Sequence, residues 1–121
     1  VQVIDYGLES QSDRSVDYPD YAACLGHAFS KNKVEAGILI CGTGLGMAIA
    51  ANKYQGIRAV TVSEEYSCRL SREHNDANVL CLGGRILSSQ YAVELVKIWL
   101  KTSFLGNHHI ARIEKISRLE K

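Results

Sequence analysis

Cys41 opens the run CGTGLG, in which Gly42, Gly44 and Gly46 fall within five positions and the helix-like AIAANK follows. Glycines let a backbone turn tightly and present several N–H groups to an anion, with the next helix's N-terminus behind them. A thiol at such a place meets the positive end of a helix dipole and unpaired donors, which favour thiolate. Cys41 is therefore a candidate nucleophile or proton-abstracting base. Two plainer accounts stand beside this one: the turn needs glycine only for positive φ, and cysteine is commonly a buried packing residue. Three glycines exceed what a simple turn requires, which favours an anion site. Position alone leaves Cys41 divided between function and packing.

A second group lies in EHNDANV, where His74, Asn75 and Asp76 end a helix just before a strand and set an imidazole that exchanges protons near neutral pH beside an amide and a carboxylate that donate or accept hydrogen bonds. The ordinary account makes His74 a helix C-cap and Asn75–Asp76 the turn. Arg85 in GGR brings a cation to the end of a strand. In NHHIAR, His108 and Arg112 are spaced i,i+4 and His109 and Arg112 i,i+3, so they share a helix face suited to phosphate or carboxylate. For any one of these, and most of all for Arg72 or Arg118, solvated charge is the usual reading. Tyr18 either lines the same cleft or staples a helix start. The dinucleotide fingerprint G-x-G-x-x-G fails, since glycine is needed at Met47; Glu64 stands where a ribose-binding acid would.

The elements that must position these groups follow from the hydrophobic pattern. VQVID (1–5) alternates like a strand, and the polar loop YGLESQSDRSVDYPD leads to a helix opening near Asp17 to Asp20, with Pro19 in its first turn. The continuous apolar runs 36–41, 57–62 and 78–83 predict buried strands, the first covered on both faces. Ser63 and two glutamates suit a helix start. Ala92, Leu95, Val96, Trp99 and Leu100 mark an amphipathic helix, and Ile110, Ile113, Ile116 and Leu119 a more polar one whose stripe suits a partner subunit. The order β-α-β-α-β-α-β-α-α predicts an open, mostly parallel sheet with helices on both faces.

Bulk properties narrow the class. The chain has 121 residues, enough for one domain with a real core, and its 46% hydrophobic and 22% charged residues are an ordinary globular mix. A net charge of +1 gives no field for nucleic acid or an anionic membrane. No apolar run approaches the ~20 residues of a membrane span, and no signal peptide is visible. Cys24, Cys41, Cys68 and Cys81 form no C-x-x-C, and His27, His74, His108 and His109 miss zinc-finger spacings. Two disulfides are conceivable but not needed for such a core, so reduced thiols and a cytoplasmic location are expected. Cys24, Cys68 and Cys81 read as packing.

Together SVDYPDYA, GILICGTGLGMAIAANK, GIRAV, SREHNDANVL, LGGRI and ARIEKI closely resemble the ribose-5-phosphate isomerase B family, which includes the galactose-6-phosphate isomerase subunits. The resemblance runs in order over essentially all of residues 1–121, as one sugar-phosphate isomerase domain. It implies a Rossmann-like three-layer α/β/α sandwich with a mostly parallel sheet. It also implies a homodimer, or a tetramer of paired dimers, with active sites at the subunit interface and neither metal nor organic cofactor. The implied reaction interconverts ribose 5-phosphate and ribulose 5-phosphate. By resemblance Cys41 abstracts the proton beside the carbonyl and His74 assists ring opening. The backbone of Gly42, Thr43, Gly44, Leu45 and Gly46 holds the enediolate oxygens with Asn75, while Arg85, His108 and Arg112 take the phosphate.

Two departures qualify that expectation. The chain starts at Val1 without methionine and does not contain the family's first strand, ending in an Asp-His pair that contacts the sugar, or the helix after it, so the sequence is expected to be N-terminally incomplete. A chain of this length alone is expected to be severely impaired as an isomerase, with uncovered strand edges. His108 stands where relatives commonly carry arginine, so phosphate affinity is expected to be weaker and to improve below neutral pH. The alternatives are a galactose 6-phosphate or allose 6-phosphate isomerase, and a noncatalytic sugar-phosphate or nucleotide-binding module.

Overall fold

The segment Val79–Gly83 carries no charged side chain on either face, so as a strand it needs apolar cover on both sides. It receives it. The computed structural model describes residues 1–7 and 17–120. In chain order the elements are α1 (Tyr18–Ser30), β1 (Gly37–Cys41), α2 (Leu45–Ala51), β2 (Ala59–Thr61), α3 (Glu65–Glu73), β3 (Val79–Gly83), α4 (Ser89–Lys101) and α5 (His109–Ser117). The three strands form a parallel sheet in the order β1-β3-β2, with Gly37 and Ala59 both in register with Val79.

Alternate residues of β3 feed two cores, as strand geometry requires. Val79 and Cys81 pack with Ala22, Leu25, Met47 and Ala51 under α1 and α2. Leu80 and Leu82 pack with Cys68, Leu95 and Trp99 under α3 and α4. This is the expected α/β/α layering. Burial pushes the Cys68 thiol up to about 11 and the Cys81 thiol up to about 12, so both are packing residues. Cys24, by contrast, is exposed on α1 and is not the packing residue expected. None of the four cysteines is bridged. Among the described residues no helix is long and apolar enough to cross a membrane.

Several local expectations change. VQVID forms no strand: residues 1–6 are irregular and exposed, and among the described residues no strand lies alongside to complete a ladder. The polar loop after it falls largely on residues 8–16, outside the described residues. β1 is covered on one face only; α1 and α2 bury Leu39, which is 7% exposed, but Ile38 and Ile40 are 41% and 59% exposed because α3 and α4 on the other face pack over β3 and not over β1. β2 is shorter than 57–62, since the Asn78 side chain rather than a backbone carbonyl accepts the Arg58 N–H, at 2.7 Å.

The cap of α3 is Glu64, not Ser63. Its carboxylate accepts the N–H groups of Tyr66 at 2.7 Å and Ser67 at 2.8 Å, and these bonds, Ser67 foremost, hold it below the usual carboxylate range. An acid so engaged with its own helix does not favour the dinucleotide alternative.

Candidate functional site

β1 delivers Cys41 to the carboxyl edge of the sheet, where the chain must turn at once into α2. Gly44 makes that turn at φ 81°, a left-handed value that glycine adopts without strain. Its N–H donates to Cys41 Sγ at 3.2 Å, and its carbonyl accepts the Thr61 hydroxyl at 2.8 Å. One of the expected anion-binding N–H groups thus serves the sulfur itself. Gly83 is required by close approach: a β-carbon there would lie 2.8 Å from the Thr43 carbonyl carbon and oxygen.

The end of β3 is tied to the same loop. Gly84 N–H donates to the Cys41 carbonyl at 2.8 Å and Arg85 N–H to that of Gly42 at 3.0 Å. The Arg85 side chain runs over Gly42, where a β-carbon would be 3.4 Å from Cδ and 3.5 Å from Nε. Tyr18 lies across Gly46, its ring where a β-carbon would sit. A hollow of about 250 Å³ opens beside the loop, lined by Thr43, Leu45, Thr61, Ser63, Gly83 and Leu87. This edge therefore combines a thiol, a tightly turned backbone and a guanidinium. Such a set can remove a carbon-bound proton and hold the resulting oxyanion.

The histidines gather elsewhere. α3 runs back along the sheet and ends with His74 as its C-cap, whose N–H donates to the Leu70 carbonyl at 2.8 Å. The His74 ring stacks on His109 with centroids 4.2 Å apart and planes 16° from parallel, and His108 lies 4.0 Å from His109. Asn75 and Arg112 are exposed in the same region of chain, one beside His74 and the other on α5. Among the described residues no three of His, Cys, Asp and Glu are grouped to hold a metal ion.

His109 is the residue that sequence spacing undervalued. It is 7% exposed, while His108 is exposed. Burial first, then the neighbouring His108, His74 and Arg112, pushes its pKa down from the ordinary histidine value. An unfolded histidine takes its proton near pH ~6.5 while folded His109 resists it, so its contribution to stability is complete above that pH and declines as pH falls below it. A Tm series from pH 8 to 5 should therefore fall less steeply in His109→Phe, which keeps a stacked ring but cannot titrate. An unchanged slope would exclude His109 as a source of acid sensitivity.

The two groups occupy opposite edges of the sheet. Arg85 follows β3 and His74 precedes it, as do Asn75 and Asp76, and β3 has five residues. That strand alone separates the edges by ~13 Å. The fold thus brings together Cys41, the Gly42–Gly46 loop, Arg85 and Tyr18. It brings together His74, His108 and His109 as a second set, with Asn75 and Arg112 near them in sequence. It does not unite the two sets within one chain.

The sequence pattern of the Ribose/Galactose Isomerase family matches residues 1–116. Ribose-5-phosphate isomerase B of Escherichia coli is 49% identical over 120 residues, covering 99% of this chain and 79% of the relative. The structure of Clostridium thermocellum ribose-5-phosphate isomerase B superposes with a TM-score of 0.91 at 46% identity, over 98% of this chain and 78% of that one. That of ribose-5-phosphate isomerase B from Mycoplasma genitalium, with bound ribulose 5-phosphate, gives a TM-score of 0.88 at 41% identity, over 95% and 76% of the two chains.

Proposed function

The chain belongs to the Ribose/Galactose Isomerase family, and we propose that it is an aldose–ketose isomerase interconverting D-ribose 5-phosphate and D-ribulose 5-phosphate. The observation that carries the reading is the Cys41 loop, with its thiol at the sheet edge, the Gly44 N–H on the sulfur and Arg85 over Gly42. In this reading His74 moves the proton between the anomeric hydroxyl and the ring oxygen, which opens the furanose to the aldehyde. Cys41, as thiolate, takes the proton from C2. The electron pair moves onto the C1 oxygen to give the enediolate. N–H groups of the Gly42–Gly46 loop stabilise that oxyanion by ~3–4 kcal/mol per well-aimed donor. Returning the proton to C1 while the C2 hydroxyl loses its own yields the ketose. No atom is gained or lost.

Both groups are needed on one substrate, and they lie at opposite edges of one chain. We infer a site shared between two copies, the Cys41 loop and Arg85 from one and His74, Asn75, His108 and Arg112 from the other. The arrangement suits a two-fold dimer. Exposed Ile38, Ile40, Leu45 and Ile49 on the first set's side, and Ile110, Ile116 and Leu119 on α5, supply apolar surface for such an interface. Arg85, Arg112 and His108 take the phosphate, the histidine without the bidentate grip of an arginine. Unbridged thiols support a reducing compartment, the cytoplasm.

The test is to supply the purified full-length protein with ribose 5-phosphate and follow ketose formation. Turnover without an added cofactor is expected. Retained binding of ribose 5-phosphate with no turnover would support the noncatalytic module instead.

A further inference from the structure

Asp76 occupies a backbone position that would suit glycine. Its φ is 47°, the left-handed conformation that commonly closes a helix, and its N–H donates to the Arg72 carbonyl at 3.3 Å. Aspartate tolerates this conformation better than most residues but gains nothing from it over glycine. What it adds is a carboxylate, which lies between two guanidinium groups: Arg58 Nη2 at 3.3 Å and Arg72 Nη1 at 3.7 Å.

Each arginine holds more than the carboxylate. Arg58 Nε donates to the Asp76 carbonyl at 2.8 Å, which fixes the turn to the start of β2. Arg72 donates to the Ala77 carbonyl and, through Nε at 3.1 Å, to that of Thr102, with its guanidinium over the Trp99 ring at 5.1 Å. Thr102 begins the connection to α5, and Leu105 N–H in that connection donates to the Glu73 carbonyl at 3.1 Å. The carboxylate therefore links three pieces of chain: the His74–Asn75 turn, the start of β2 and the segment that brings His109 against His74. Neither arginine is deep in the core, so the value of this link is geometric.

We propose that Asp76 is a positioning residue for His74: its carboxylate, bridging Arg58 and Arg72, sets the turn and the α5 approach that hold the His74 ring in its stack. This rests on the reading of His74 as the ring-opening group. That reading supplies a separable readout. Ribulose 5-phosphate carries its phosphate on the hydroxyl that a furanose would need, so it is open-chain, and exchange of its C1 proton with solvent requires Cys41 but no ring step. Ribose 5-phosphate turnover requires both.

Three variants test the proposal in the full-length protein: Asp76→Gly keeps the backbone conformation, Asp76→Asn keeps a short polar side chain, and His74→Asn is the reference. Expected for Asp76→Gly is a loss of roughly 10- to 100-fold in kcat for ribose 5-phosphate, of the size given by removing an acid–base group's alignment. KM and C1 exchange should stay within about threefold, with partial recovery in Asp76→Asn. Ribose turnover unchanged in Asp76→Gly, or turnover and exchange falling together with Tm, would overturn the proposal. If His74→Asn keeps full ribose turnover, the assignment of His74 fails, and the role of Asp76 with it.

Discussion

Cys41→Ala should lower kcat for ribose 5-phosphate by about 10³-fold or more, the upper range for loss of a general base, with little change in Tm. The asymmetry follows from the site. Cys41 is only partly buried, at the rim of the core under α1 and α2, so removing its sulfur leaves no sealed cavity. The Gly44 N–H loses its acceptor, but in a part-exposed position where water can replace it. Among the described residues, the groups that line the hollow or lie against the loop besides Cys41 include Thr43, Thr61, Ser63, Tyr18 and Arg85, hydroxyls and a guanidinium rather than a thiol or carboxylate. Cys41→Ser sharpens the comparison. A hydroxyl can still accept from Gly44, yet it is far too weak an acid to supply the anion, so the serine variant should fold normally and stay nearly inactive. Both variants should also lose C1 proton exchange in ribulose 5-phosphate, which separates them from variants at His74. Turnover within about tenfold of the natural protein in Cys41→Ala would move the base elsewhere.

The layers of the fold were readable because they follow from local chemistry. Pro19 marks the start of α1, the Ala92–Leu100 stripe defines α4, and the apolar run at 78–83 marks a buried strand, β3. VQVID failed by the same logic. Its alternation shows only that the segment would fit a pleated surface, and a strand exists only where a neighbour completes its hydrogen bonds. Glu64 displaced Ser63 as the α3 cap because its carboxylate reaches two N–H groups at once.

In the candidate site, the Gly42–Gly46 turn and its closeness to Arg85 were visible in the sequence. A site at a subunit interface was expected only from the family resemblance; which residues fall on which side was not drawn from the sequence, although one signal carries it. Cys41 and Arg85 follow strands, whereas His74 precedes one, and in a parallel sheet these positions fall on opposite edges. His109 was harder. Its spacing to Arg112 is as good as that of His108, and only the packing of α5 against the His74 turn shows which of the two adjacent histidines faces inward.

The separation of the two edges leads to the central claim, that a complete site takes Cys41 from one copy and His74 from another. Cys41→Ala and His74→Asn are each expected to be nearly inactive alone, since every site in either homodimer lacks one group. A mixed dimer is different. In a two-fold dimer with shared sites, one of its sites collects both substitutions and the other collects none. Random exchange of equal amounts makes about half of the dimers mixed, so about a quarter of all sites regain both groups. The decisive measurement is the ribose 5-phosphate turnover of such a mixture, with mixed dimers verified by the intact mass of differently tagged subunits. The shared site predicts recovery to about a quarter of the natural activity; a mixture that contains mixed dimers and stays as inactive as its two components would contradict it.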